Sequence, residues 1–303
     1  MTFQLKKGEK VSKGVRRIVG RRIEKAIQTL ESGKKTVSDP VVHEARKRFK
    51  EIRGTLRLVR GEMGKKAFRR ENKTFRDAGR SLSAVRDATV LVDRLDDLVA
   101  HFGRRRKAKN LVQLRRALLK RRRDARAKIT GKRKGISSIV QDVKDARKRI
   151  KGWQLERRGW KAIETGLLKV YEDGKRAMKA AQNGGSDKAL HEWRKRVKDL
   201  RYELELLKNT APALIEVLAE RAHGLADRLG DDHDLTILTT VAREEAGEQS
   251  AVEHQLLFAL IDERRQTLQR EAFLLGKKLY NESAREFVRR IKGCWKKARE
   301  EAE

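Results

Sequence analysis

The chain is short of most residues that narrow what a protein can be. Its 303 residues hold one cysteine, Cys294, which excludes an intramolecular disulfide framework and a cysteine-based zinc site. Only two prolines occur, Pro40 and Pro212, and both stand where a helix is expected to begin. Aromatic residues are 5% of the total, which counts against a surface that reads single-stranded nucleic acid by stacking. No apolar run approaches the roughly 18 residues that a membrane span requires. The opening MTFQLKKGEKVSKGVRRIVG lacks the apolar centre of a secretion signal, so a cytoplasmic address is expected. No glycine-rich phosphate loop followed by Lys-Ser/Thr is present. Cys294 lies beside Trp295 and reads as a packing residue rather than a nucleophile. Nothing here demands an enzyme, and no cofactor is expected.

The last shortage is acid. Lys and Arg number 77 against 43 Asp and Glu, a formal charge of +34. Such an excess says little about fold and much about partners, which should be polyanions: nucleic acid, an anionic membrane surface or an inorganic phosphate polymer.

What the chain does have is helical periodicity. Apolar residues recur at i, i+3 and i+4 from end to end, and alternating strand patterns are essentially absent, so the fold class is all-α. Helices are expected over 9–32, 40–60, 65–84, 87–102, 107–129, 136–150, 157–182, 187–209, 212–229, 233–247, 250–274 and 276–301. Asp39-Pro40 reads as an N-cap followed by proline at the first helical position, and Ser186 caps a later helix in the same way.

The stretch 41–60, VVHEARKRFKEIRGTLRLVR, sorts cleanly on a helical wheel at about 100° per residue. Val42, Ala45, Phe49, Ile52, Leu56 and Val59 form one face. His43, Arg46, Lys47, Lys50, Arg53 and Arg57 form the other. Alone, this is a bundle helix with a solvated side. The stretch has a twin, however, in LHEWRKRVKDLRYELELL at 190–207. There His191, Arg194, Lys195, Lys198 and Arg201 occupy the places of His43, Arg46, Lys47, Lys50 and Arg53, and only Glu205 breaks the match, opposite Arg57. A solvated face drifts freely, so a repeated histidine in a chain with six points to a site made of two similar halves.

Guanidinium forks and ammonium groups spaced along a helix suit phosphate oxygens, and histidine near phosphate favours its protonated, donating form. A ladder from i to i+10 is about 15 Å long, which fits an extended polyanion better than a single phosphate. Two facing ladders would line a groove or channel that has no base-reading groups. Arg17 and Arg21, with Arg16 and Arg22, and Arg176 with Lys175, are candidates to extend that lining.

The repeat continues. LSAVRDATVL (82–91) aligns with LGDDHDLTIL (229–238), at an offset of 147 residues against 148 at the histidines. The chain therefore reads as a duplicated four-helix unit, 1–153 and 154–303, each an up-and-down bundle. The most basic part runs from Arg104 to Lys134, with Asp124 its only acid. Leu111, Leu114, Leu118, Ala125 and Ile129 keep a helical stripe through it, so it reads as a bundle helix with a charged outer face. Asp231, Asp232, His233 and Asp234 invite a metal-dependent phosphohydrolase reading. Against it, Arg86 stands where His233 would be matched, and adjacent helical residues do not face one site. Asp87 and Asp234 are read as structural carboxylates, at a helix start or pairing a buried cation, and no metal is expected.

The two histidine stretches resemble the signature of the CHAD domain, the conserved histidine α-helical domain. RDATVL and DHDLTIL resemble its second repeated motif, and YEDGKRAMKAAQ (171–182) is also similar to the family. The resemblance spans about residues 9–301. It implies two four-helix bundles around a basic groove or pore that binds inorganic polyphosphate. It implies that the basic face falls on His43, Arg46, Lys47, Lys50 and Arg53 and on His191, Arg194, Lys195, Lys198 and Arg201. It implies no catalysis, and an address with polyphosphate granules in the cytoplasm. Some family members carry a fused triphosphate-processing CYTH barrel, for which this chain offers no strands. Nucleic-acid binding is the second choice of partner, since charge alone allows it equally.

Overall fold

The computed structural model describes residues 3–33, 38–101, 109–130, 135–153, 155, 157–210, 212–246 and 251–300. Eleven α-helices and one short 3₁₀ turn, and no strand, appear among them. They are α1 (Val11–Ser32), α2 (Asp39–Leu58), α3 (Lys65–Ser81), α4 (Ser83–His101), α5 (Lys109–Thr130), α6 (Ile136–Ile150), α7 (Lys161–Gly184), α8 (Asp187–Leu207), α9 (Pro212–Ala246), α10 (Ala251–Leu279) and α11 (Ala284–Glu300). None of these helices is long and apolar enough to cross a membrane.

The apolar faces expected of the two histidine helices are the faces that bury. Val42, Ala45, Phe49, Ile52, Leu56 and Val59 are all buried, as are Leu190, Trp193, Val197, Leu200, Leu204 and Leu207. At about 1.5–3 kcal/mol for each large side chain removed from water, these stripes fix how both helices sit. Helix neighbours recur between the two halves of the chain. α2 packs on α1 and α3, and α8 packs on α7 and α9; α6 packs on α1, and α11 on α7; α5 packs on α4, and α10 on α9. Contacts of α2 with α8 and α7, and of α4 and α5 with α9, then join the halves.

The apolar clusters cut across residue 153. The larger gathers side chains from α1, α2, α3 and α6 together with α7, α8, α9 and α11. The smaller joins Leu91, Leu95, Leu114 and Leu118 of α4 and α5 to Leu235, Leu238, Leu257 and Ile261 of α9 and α10. α5 packs through Leu114 and Leu118, with Leu111, Ala125 and Ile129 part-buried, as the stripe predicted. Residues 104–108 and 131–134 of the basic stretch lie outside the described residues.

Among the helix limits that differ from expectation, four have a local reason. The helices expected at 212–229 and 233–247 are one helix, α9, of 35 residues. GDD looked like a stop, but its carboxylates bond to arginines of neighbouring helices and leave their own backbone helical. In the first half the break is real and falls at Leu82, where Ser81 and Ser83 donate back to the Asp77 and Arg80 carbonyls. The gap expected near residue 275 lies instead between α10 and α11. Gly276 is a packing glycine: a Cβ there would stand 2.6 Å from Trp193 Cζ2. The true start of α11 is a capping box, in which Ser283 N–H donates to Glu286 (2.9 Å) and Glu286 N–H to Ser283 Oγ (3.2 Å). Finally, Ser38 rather than Asp39 is the N-cap of α2, with Asp39 already inside the first turn. Ser186 does cap α8, accepting from the Ala189 N–H.

Candidate functional site

α2 and α8 cross at Gly54 and Tyr202, which stand 148 residues apart, the offset that relates the two histidines. The approach is close: a Cβ at Gly54 would lie 2.6 Å from Tyr202 Cβ. Matching residues therefore meet one another across the crossing. Lys50 lies with Arg46, Arg194 and Arg86, and Asp87 is the carboxylate beside it. Lys198 lies with Arg194, Lys50 and Arg201, and Asp234 is the carboxylate beside it.

This crowding has an electrostatic consequence. Burial, and then Arg46, Arg194 and Arg86, push the Lys50 ammonium down to about 8. Burial, Arg194 and Lys50 hold Lys198 well below the ordinary lysine value. Burial lowers the Arg46 guanidinium, and Arg86 and Arg194 add to the effect. Arg46 donates to the Gly79 carbonyl, while Arg194 lies over Gly230 and reaches Asp234 at 3.8 Å with its Nε unpartnered. The cations here outnumber the carboxylates placed to balance them.

Each ladder begins at its histidine. His43 is exposed, and desolvation followed by Arg86 lowers its pKa. His191 is also lowered, by burial and then Lys195 and Arg194, and its Nδ1 is buried without a partner. Its ring lies against His233, with centroids 4.2 Å apart. Burial, with Arg194, His191 and Lys198, pushes His233 down to about 3. Arg86 and His233 occupy the same place in the second repeated motif. In the sequence that pair is a mismatch between the two motifs, and the shared position is the only signal that ties either residue to its histidine.

Beyond the crossing the ladders diverge. Arg53 donates to Asn72 (3.0 Å), and burial, with Arg57, Arg76 and Arg80, pushes its pKa down to about 10. Arg57 pairs with Asp199 at 2.9 Å, a link from α2 to α8. Arg53, Arg57, Arg60 and Arg196 line a cavity of about 220 Å³ together with Asp173 and Asp199. Lys47 and Lys195 stand exposed on the rim, and Lys195 pairs with Glu192 at 3.1 Å. Arg201 is part-buried with its Nε unpartnered. Arg76 and Arg80 of α3 were not singled out in the sequence, because nothing in their local pattern ties them to α2.

The outlying candidates fare differently. Arg17 forks onto Glu9, with Nε 2.8 Å from Oε1, and donates to the Gln4 carbonyl, so its charge is answered within its own segment. Arg22 is buried against Glu51 at 2.9 Å. Arg176 pairs with Asp173, at the edge of the 220 Å³ cavity, and Lys175 donates to the Glu282 carbonyl. Arg21 is part-exposed on α1. The aspartates of the GDDHD segment turn to separate cations: Asp231 to Arg94 (3.3 Å), Asp232 to Arg265 (3.0 Å) and Asp234 to Arg194. Pairing with cations, one of the two roles read for Asp234, is what it does; it lies inside α9, far from a helix start.

The sequence profile of the CHAD domain matches residues 21–243, and the chain belongs to the CHAD domain family. Every ladder residue falls within the match, and Arg17 falls outside it. Among solved structures, the crystal structure of the CHAD domain from the plant Ricinus communis has the same fold, with a TM-score of 0.64. The likeness covers 96% of this chain and 94% of that one at 17% identity. No match to a curated protein is found.

Proposed function

We propose that the crossing of α2 and α8 binds inorganic polyphosphate and carries out no catalysis. One observation carries this reading. Lys50 and Lys198 are desolvated among like charges with too few acids to answer them, an arrangement that raises the free energy of the empty site. A linear polymer with one negative charge per unit relieves the repulsion at many points at once. Guanidinium groups of Arg46, Arg194 and Arg201 supply forked donors, and the lysines supply mobile charge. Nothing along the ladders reads a base. On this reading the protein accompanies polyphosphate granules in the cytoplasm. A metal-dependent phosphohydrolase is not favoured, since the aspartates it would need are engaged with arginines.

The test is a titration of long polyphosphate against duplex DNA and RNA at matched phosphate concentration and physiological salt. Polyphosphate should win the competition. Log affinity plotted against log salt should fall with a slope of several units, by analogy with counterion release from nucleic acids. Equal or tighter binding of nucleic acid would overturn the proposal, and a slope near one would mean that the ladders do not act together.

A further inference from the structure

α5 is the most one-sided helix of the fold. Over Lys109–Thr130 it carries nine Lys and Arg and a single acid, Asp124. Its counterpart α10, over Ala251–Leu279, carries five basic and four acidic residues and is close to neutral. The helix neighbours match, so this difference is one of charge within a shared architecture.

Part of the α5 charge is committed. Arg115 pairs with Asp96, Arg121 with Glu244 and Glu245, and Arg126 with Asp39 at 2.6 Å. The last contact is informative, because Asp39 sits in the first turn of α2, one turn before His43. Thr89 of α4 donates to the same carboxylate at 3.0 Å. The C-terminal end of α5 is thereby fastened to the point where the α2 ladder begins.

Arg116, Lys120 and Arg123 are exposed or nearly so, and no acid partner is found for them among the described residues. They fall at i, i+4 and i+7 and extend over about 10 Å. Arg123 and Arg116 lie roughly 60–80° around the helix from Arg126, on the same flank and turned outward.

We propose that Arg116, Lys120 and Arg123 form an outer rail that holds the part of a long polyphosphate chain emerging past the α2 N-terminus. The inference rests on polyphosphate as the ligand of the crossing. It adds a polarity to that site, since the path continues over α5 at the His43 end and has no matching rail at the His191 end. Chains short enough to be held within the crossing do not reach the rail, whereas longer chains gain extra contacts at high effective concentration.

The test compares Arg116→Gln/Lys120→Gln/Arg123→Gln with a control triple on α11, Arg289→Gln/Lys296→Gln/Lys297→Gln, which removes equal charge from exposed positions elsewhere. Both are titrated with polyphosphate of defined short and long chain length, and with duplex DNA. The α5 variant should lose about tenfold in long-chain affinity at low salt, and the salt slope should drop by about two to three units. Its short-chain affinity should change by less than about twofold, and the control should leave both nearly unchanged. Equal losses for short and long chains, equal losses in the control, or no loss at all would each overturn the rail. So would a loss confined to DNA, which would assign the rail to nucleic acid. If short chains bind the unaltered protein while the α5 variant matches it on long chains, the rail alone fails. If the unaltered protein binds no polyphosphate of either length, the reading of the crossing fails and the rail falls with it.

Discussion

α2 and α8 carry the same ladder into one crossing, yet they meet different surroundings. At the first histidine the neighbour is an arginine, Arg86; at the second it is a histidine, His233, whose ring packs at a tilt against His191. At the far end Arg57 reaches across to Asp199, whereas its counterpart is Glu205. The strongly one-signed part is the middle, Arg46 and Lys50 against Arg194 and Lys198. Where an ion pair can form inside one helix neighbourhood the charge is answered, as at Arg48 with Glu44 and Glu51. At the crossing Asp87 and Asp234 answer it only in part, and on that imbalance the proposed binding of a polyanion rests.

The largest effect is expected from removing that middle charge. Lys50→Met with Lys198→Met should weaken long polyphosphate by about a hundredfold or more, since two desolvated charge-assisted contacts are lost. The same variant should be more stable than the parent at pH 7, by on the order of 1–4 kcal/mol in all, the usual gain when buried charge gives way to an apolar side chain. The sign follows from linkage. The folded Lys50 pKa of about 8 lies below the unfolded value, so the unfolded chain holds more protons between about pH 8 and 10.5. Parent stability should therefore rise with pH through that window, and the variant should lack the rise. Urea unfolding at pH 7 and pH 10 measures both. A double variant that binds normally or is less stable at pH 7 would contradict this account of the crossing.

An intermediate effect is expected at the contact point. Gly54→Ala places a Cβ 2.6 Å from Tyr202 Cβ and should cost about 1–3 kcal/mol, because helix backbones must separate to admit it. Adding Tyr202→Gly moves the small residue to the other half. The double variant should then be less destabilised than the sum of the two single changes. Strict additivity in denaturant unfolding would show that the helices do not cross there.

The smallest effect concerns the histidines. His43 and His191 are lowered in the free protein, and an arriving polyanion raises them, so protons are taken up on binding. Affinity should rise a few-fold as pH drops from 8 to 6. His233→Arg makes the second half resemble the first. It should tighten binding at pH 8 by about two- to fivefold, since it adds a charge that His233, at about 3, does not supply there. Unchanged affinity at pH 8 would place His233 outside the path.

How much was legible in the chain differs from place to place. The all-helical class, the buried faces of α2 and α8, and the paired ladders could be read directly, because each is a matter of spacing along one helix. The Ser283–Glu286 capping box was equally legible in the chain as a helix start, although the helix was expected from 276. The continuity of α9 was not legible, because Asp231 and Asp232 act on arginines from other helices.

What the sequence determined by itself was therefore the periodicity, the repeat and the sign of the charge, all properties of residues within a turn or two of one another. Only the tertiary structure decided that Gly54 meets Tyr202, that Lys50 and Lys198 share one desolvated cluster, and that Arg17 is spoken for by Glu9. The physical reason is that a charge acquires its meaning from the groups packed around it. Those groups come from helices on both sides of residue 153, and which helices meet is set by apolar faces distant in the chain.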